Sequence, residues 1–141
     1  MMDVNECFEK GLLKEEKPDA AKAKKSIDIA KHKLEIARST FEAEIYEETI
    51  VNAYSAMFHA GRSLLFKDGV SEKSHYALYV YLKEKYSNKI EARFVNELNS
   101  LRLERHELQY GLEKIEIKEV EAEDVIAVAS DFIKVIEKLI K

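Results

Sequence analysis

Four glycines and a single proline are all that interrupt this 141-residue chain, and that scarcity of breakers limits its architecture more than any motif does. Glycine supplies the backbone freedom of tight turns, and proline ends helices and strands. A chain with so little of either is expected to be nearly all helix, joined by short connections. The charged fraction of 35% fits, because amphipathic helices carry a polar outer face. The length suits one domain with a real core. The expectation is therefore a single all-α domain over residues 1–141, an up-and-down helical bundle of about five to six helices, with 1–18 as an N-terminal helical extension.

Apolar spacing places the elements. Residues 4 to 15 show Val4, Phe8 and Leu12 at helical intervals and predict a short first helix, ended by "EEKPD", where Pro18 suits a first turn and not an interior. A second helix follows with the stripe Ala20, Ala23, Ile27, Ala30, Leu34, Ala37 and Phe41, its lysines mostly off that line. The third, roughly 43 to 67, is apolar over much of its circumference and should be the central helix. "KDGVSEKS" breaks it, with Gly69 as a C-cap and Ser71 or Ser74 as the next N-cap. A tyrosine-rich helix spans about 74 to 86 and a fifth helix about 90 to 110, closed by Gly111. The sixth, about 120 to 140, has acids in its first turns and lysines toward its end, matching the helix dipole.

Charge and cysteine content exclude several functions. A net charge of −4 argues against broad, sequence-blind coating of nucleic acid, which neutralises many phosphates with clustered Lys and Arg, though a local basic pocket is compatible with it. Cys7 is the only cysteine, so there is no intrachain disulfide, cysteine zinc site or paired redox centre. With no export signal and no eighteen-residue apolar run, the expectation is a soluble cytoplasmic protein that does not span a membrane. A di-iron bundle needs two Glu-x-x-His pairs and two more carboxylates. Only Glu72 with His75 has that spacing, so no metal and no cofactor are expected.

Two lines of polar residues run where apolar ones belong. On the fifth helix the stripe reads Phe94, Leu98, Leu101, position 105, Leu108 and Leu112, and position 105 is arginine. Arg102 and Gln109 flank that line, while His106 and Tyr110 sit together further round. On the third helix, Asn52, Ser55, His59 and Arg62 follow one narrow line, with Glu44 and Glu48 as nearby counter-charges. Taken singly, Arg62 and Arg105 read as ion-paired residues that fix helix register through helix-three glutamates. Taken together, the two lines are expected to face each other as a polar cleft whose donors converge on an anion such as a phosphate.

Three stretches in order, "AYSAMFHAGRSLL" (53 to 65), "SEKSHYAL" (71 to 78) and "LNSLRLERHELQYG" (98 to 111), followed by a last helix, resemble the small stand-alone prokaryotic HEPN-domain proteins. The resemblance covers roughly residues 20 to 140. It implies a bundle that dimerises, often paired with a minimal nucleotidyltransferase in a toxin–antitoxin-like system, and a family many of whose members are metal-independent ribonucleases. In those, an arginine is followed after four to six residues by a histidine; arginine would hold the scissile phosphate and histidine move the proton. Here three residues separate Arg102 from His106, and Tyr110 stands five positions after Arg105. Tyrosine, with an ordinary pKa of about 10, is a poor base near neutral pH, which leaves His59, His75 or His106 as the proton acceptor.

The combined expectation is a HEPN-type homodimer that binds RNA, a nucleotide or a partner protein, with Asn52, Ser55, His59, Arg62, Arg105, Gln109 and Tyr110 lining the cleft. One alternative is a metal-independent endoribonuclease using Arg102, Arg105 and His106; the other is a structural interaction module without ligand.

Overall fold

The computed structural model describes residues 1–141 and contains six helices and one two-stranded ribbon. Helix α1, Val4–Glu9, starts at Asp3, whose carboxylate accepts the Glu6 N–H at 2.8 Å. The first helix expected over 4 to 15 stops there. Gly11, at φ 73°, turns the chain, and Leu13–Glu15 becomes strand β1. It pairs antiparallel with β2, Val70–Glu72, in the register Leu13↔Glu72, Lys14↔Ser71 and Glu15↔Val70. Helical spacing alone could not foresee this, because the strand exists only through a partner far along the chain.

Gly69 is the hinge of that ribbon. It ends the third helix in the left-handed region (φ 78°), and a Cβ there would meet the Glu16 carbonyl oxygen at 2.6 Å and Pro18 carbons at 2.9 Å. Both conformation and space thus require glycine. The Glu16 N–H donates to the Gly69 carbonyl and the Asp19 N–H to the Phe66 carbonyl, at 2.8 and 2.9 Å.

Helix α2, Ala20–Glu42, is capped by Asp19 and buries Ala23, Ile27, Ala30, Leu34 and Ala37, the expected stripe less its exposed end at Ala20 and half-buried Phe41. Ser26 is buried beside it and donates to the His59 carbonyl at 2.6 Å. A short turn through Glu44 leads to α3, Tyr46–Asp68, which packs on α2, α4, α5 and α6 and so occupies the central position. Helix α4, His75–Lys85, is capped by Ser74, and its Leu78 and Leu82 seat on Gly61 of α3. Helices α5, Ala92–Tyr110, and α6, Glu119–Leu139, complete the bundle, with Phe94 and Phe132 in ring contact at 5.7 Å. A continuous core runs from Val4 to Ile136 and encloses Cys7, whose thiol pKa burial raises first and the carboxylates of Asp3, Glu6 and Glu84 raise further. No helix is long and apolar enough to cross a membrane.

The expected α5 stripe holds for Phe94, Leu98 and Leu101, which are buried, and fades at half-buried Leu108. Leu112 departs from it and is fully exposed (102%), because the helix ends at Tyr110 and the chain leaves the bundle at Gly111.

Two polar contacts bear on stability. Asp68 Oδ2 accepts the hydroxyls of Tyr81 and Tyr86 at 2.9 and 2.7 Å, tying the end of α3 to α4. Both rings are buried, so Asp68→Ala strands two hydroxyls and is expected to cost about 2 kcal/mol, read by urea denaturation. Adding Tyr81→Phe and Tyr86→Phe to that variant should restore part of the loss.

Between α5 and α6, Glu104 has its pKa raised to about 7 by burial, by a hydrogen bond with Glu121 and by the charges of Glu121 and Glu97. An unfolded glutamate loses its proton near 4.5. The folded state therefore holds more protons between those values, and stability falls as pH rises through that window. Glu104→Gln is expected to raise the melting temperature by about 3 °C at pH 8 and to change it little at pH 4.5.

Candidate functional site

Successive turns of α3 place Val51, then Tyr54 and Ser55, then Phe58 and His59 along one wall. His75, the first residue of α4, and Arg105 and Gln109, one turn apart on α5, close an open pocket of about 250 Å³. No aspartate or glutamate lines it.

Arg105 lies with its guanidinium carbon 5.1 Å from the centre of the Tyr54 ring, and its Nη1 donates to Gln109 Oε1 at 3.0 Å. Its Nε is buried without a partner. The glutamate partners expected from helix three are not used. Arg62 approaches Glu72 of β2 at 2.8 Å, an ion pair in which Nε–H is not aligned for a hydrogen bond, and it also covers Phe66 at 5.1 Å. The Glu48 carbonyl accepts the Asn52 amide at 2.8 Å, and Glu44 sits in the α2–α3 turn at φ 62°. The reason is positional: β2 brings Glu72 closer to Arg62 than any carboxylate on its own helix.

The pocket's aromatic wall holds both of its histidines. His75 stacks on Phe58 with centroids 4.1 Å apart and 18° between planes, and its Nδ1 lies 2.6 Å from the Tyr54 hydroxyl. Tyr54 is 3% exposed, and burial pushes its pKa up to about 12 although Arg105 and Arg102 pull the other way. The phenol therefore keeps its proton at neutral pH. Burial, then Arg105 and Arg102, and then His59 and Arg62 lower the His75 pKa from its usual 6.5. His59 meets Phe58 edge-on at 5.5 Å, its Nδ1 is buried without a partner, and burial, Arg62 and Lys33 lower its pKa. Both shifts favour the neutral imidazole, and Arg105 carries the pocket's one fixed formal charge.

Of the cleft residues expected from sequence, Ser55, His59, Arg105 and Gln109 meet here. Asn52 and Arg62 stand outside the lining, each engaged as described. Tyr110 is 67% exposed and packs against exposed His106 at 5.0 Å, so that pair forms on the outer face of α5 and not in the pocket. Arg102 donates from Nε to Asn99 Oδ1 at 3.1 Å and covers Tyr76 at 5.4 Å, one step from the pocket. Tyr54, Phe58, Val51 and His75 were not among the expected lining. Tyr54 and Phe58 are buried and belong to the core as well as to the lining. His75 was weighed as a metal-site partner of Glu72, which instead faces Arg62, and as a proton acceptor, but not as part of the lining. The available signal was the i, i+4 pair Tyr54 and Phe58, which sets a hydroxyl beside the polar line. No three His, Cys, Asp or Glu side chains converge as a metal site would require.

Comparison with known proteins agrees with this architecture. The profile of the HEPN domain matches residues 23–139. The chain is also similar to the protein named "Putative toxin MJ0605" of Methanocaldococcus jannaschii, with 31% identity over 121 residues, 82% of this chain and 86% of the relative. A match over most of the chain, with the expected helical bundle, settles the assignment: this protein belongs to the HEPN domain family.

Proposed function

We propose that this protein is an RNA- or nucleotide-binding subunit of a toxin–antitoxin-like pair, acting in the cytoplasm as a homodimer beside a minimal nucleotidyltransferase. The observation that carries the reading is Arg105: a half-buried guanidinium without a carboxylate partner, opening into a pocket free of acids. Such a fork is suited to phosphate, because its planar donors match phosphate oxygens. The negative overall charge confines binding to this local site.

The toxin-like role draws on family membership and on the printed name of the relative. A second copy of the chain is favoured by the exposed Leu103, Tyr110, Leu112 and Val120 around the end of α5 and the start of α6. The ribonuclease reading with Arg102, Arg105 and His106 is less favoured, since His106 packs on Tyr110 outside the pocket that holds Arg105.

Fluorescence anisotropy with a labelled RNA oligonucleotide, and a parallel titration with nucleotide, tests the binding role. Arg105→Ala is expected to weaken affinity about tenfold or more, the value of charge-assisted hydrogen bonds, and to reduce the salt dependence by about one phosphate contact. Equal affinity for wild type and Arg105→Ala would remove the pocket from the function.

A further inference from the structure

The donors around Arg105 share an orientation that neither family membership nor the position of the pocket assigns. Arginine has no acceptor, so the Gln109 atom 3.0 Å from Arg105 Nη1 must be the amide oxygen. The Gln109 NH2 is thereby turned away from Arg105, with both of its hydrogens available to a ligand. A similar argument fixes His75. Tyr54 is buried and keeps its phenolic proton, and the His75 Nδ1 at 2.6 Å is the one acceptor its hydroxyl meets. If Nδ1 carried a hydrogen instead, the buried phenolic proton would have no acceptor, at a cost comparable to a lost hydrogen bond. Tyr54 therefore donates, Nδ1 accepts, and the hydrogen of the neutral ring is on Nε2, which has no partner within the protein.

We propose that the pocket is a donor-only receptor for a backbone phosphodiester of RNA, in which His75 binds a phosphate oxygen through Nε2–H alongside Arg105 and the Gln109 amide, with Tyr54 fixing the His75 tautomer. This rests on the RNA-binding reading above and narrows it. At about 250 Å³ the pocket is smaller than sites that enclose a whole drug-sized ligand, about 300–1,000 Å³, so it suits one phosphate of a chain that continues outside. Its single formal charge, from Arg105, matches the single charge of a phosphodiester better than the double charge of a terminal phosphate. His75 is thus a binding residue and not the base of a cleavage reaction, because its accepting nitrogen is occupied by Tyr54.

The groups around His75 set a pH signature. Arg105 and Arg102 approach from α5, and His59, Arg62 and Tyr54 from α3, while Glu72 of β2 is held by Arg62. No carboxylate opposes protonation loss, so affinity should be level from pH 7 to 8.5 and tighten only on the acid side of 6.5. Tyr54→Phe removes the bond that the neutral ring accepts, so the onset of tightening should move to higher pH.

The test uses the full-length protein and a short RNA with hydroxyl ends, the same RNA carrying a 5′ phosphate, and AMP, each followed by anisotropy or competition with chelator present. His75→Ala, at an exposed helix start, should weaken the hydroxyl-ended RNA about tenfold, while His106→Ala leaves it unchanged. The 5′ phosphate should add less than twofold, and AMP should compete poorly. Thermal melts of each variant establish that the fold is kept. The inference is overturned if Arg105→Ala loses RNA but His75→Ala does not, if AMP outcompetes the oligonucleotide, or if Tyr54→Phe leaves the pH profile in place. It is also overturned if the wild type cleaves the RNA without metal and His75→Ala abolishes cleavage while keeping affinity, which would make His75 the base. Failure of the wild type to bind either RNA or AMP would instead overturn the proposed function itself.

Discussion

The close approach of α4 to α3 at Gly61 fixes where the site can be. A Cβ at that position would lie 2.8 Å from Leu82 and 3.2 Å from Leu78, so glycine lets the two helices come within packing distance. Leu78 and Leu82 follow His75 at intervals of three and four, which puts all three on one face of α4. Once the leucines are seated, the imidazole has one place to go, over Phe58 and against Tyr54. Helix α5 is held separately by Phe94, Leu98 and Leu101 in the core, and its next inward position delivers Arg105 to the same spot. Two independent packing decisions thus meet at one pocket.

Electrostatics then divides the arginines by what the backbone brings near them. Arg62 has Glu72, Arg102 has Asn99 and the face of Tyr76, and Arg105 has only a neutral amide and an aromatic ring. The cost of leaving a guanidinium without a counter-ion is moderated by its opening to solvent and by the ring beneath it. Burial first, and then the same positive surroundings, lower the pKa of His75 and His59 and favour their neutral forms, so the site has donors in plenty and little charge.

Much of this was legible in the residues. The stripe from Ala23 to Ala37, the central α3, the cap at Gly69, an N-cap at Ser71 or Ser74 (the structure uses Ser74) and the inward position of Arg105 all follow from spacing and breaker chemistry. What spacing could not supply was pairing between distant segments. Strand β1 looked helical because Val4, Phe8 and Leu12 keep a helical interval, and nothing local announces its partner at Val70–Glu72. That pairing also gave Arg62 a carboxylate that helix three does not provide. Tyr54 was missed and His75 left out of the expected lining for a related reason, since a buried tyrosine and a helix-starting histidine become a site only when α4 is laid on α3. His106 and Tyr110 show the reverse: their spacing correctly made them neighbours, but not which way the pair would face.

The small ribbon has a consequence for the order of assembly. Helices α2 and α3 are joined by a short turn and bury their shared face through local contacts, whereas β1 and β2 meet only after the whole of that hairpin lies between them. Closing so long a loop carries an entropic cost that local helix pairing avoids. The ribbon accordingly clasps the two ends of that hairpin across a long stretch of chain. Strand β2 of that ribbon carries Glu72, the carboxylate that pairs with Arg62, which leaves Arg105 as the arginine in the pocket lining without one. The first fifteen residues, far from the pocket in sequence, thereby brace the strand whose Glu72 pairs with Arg62 beside it.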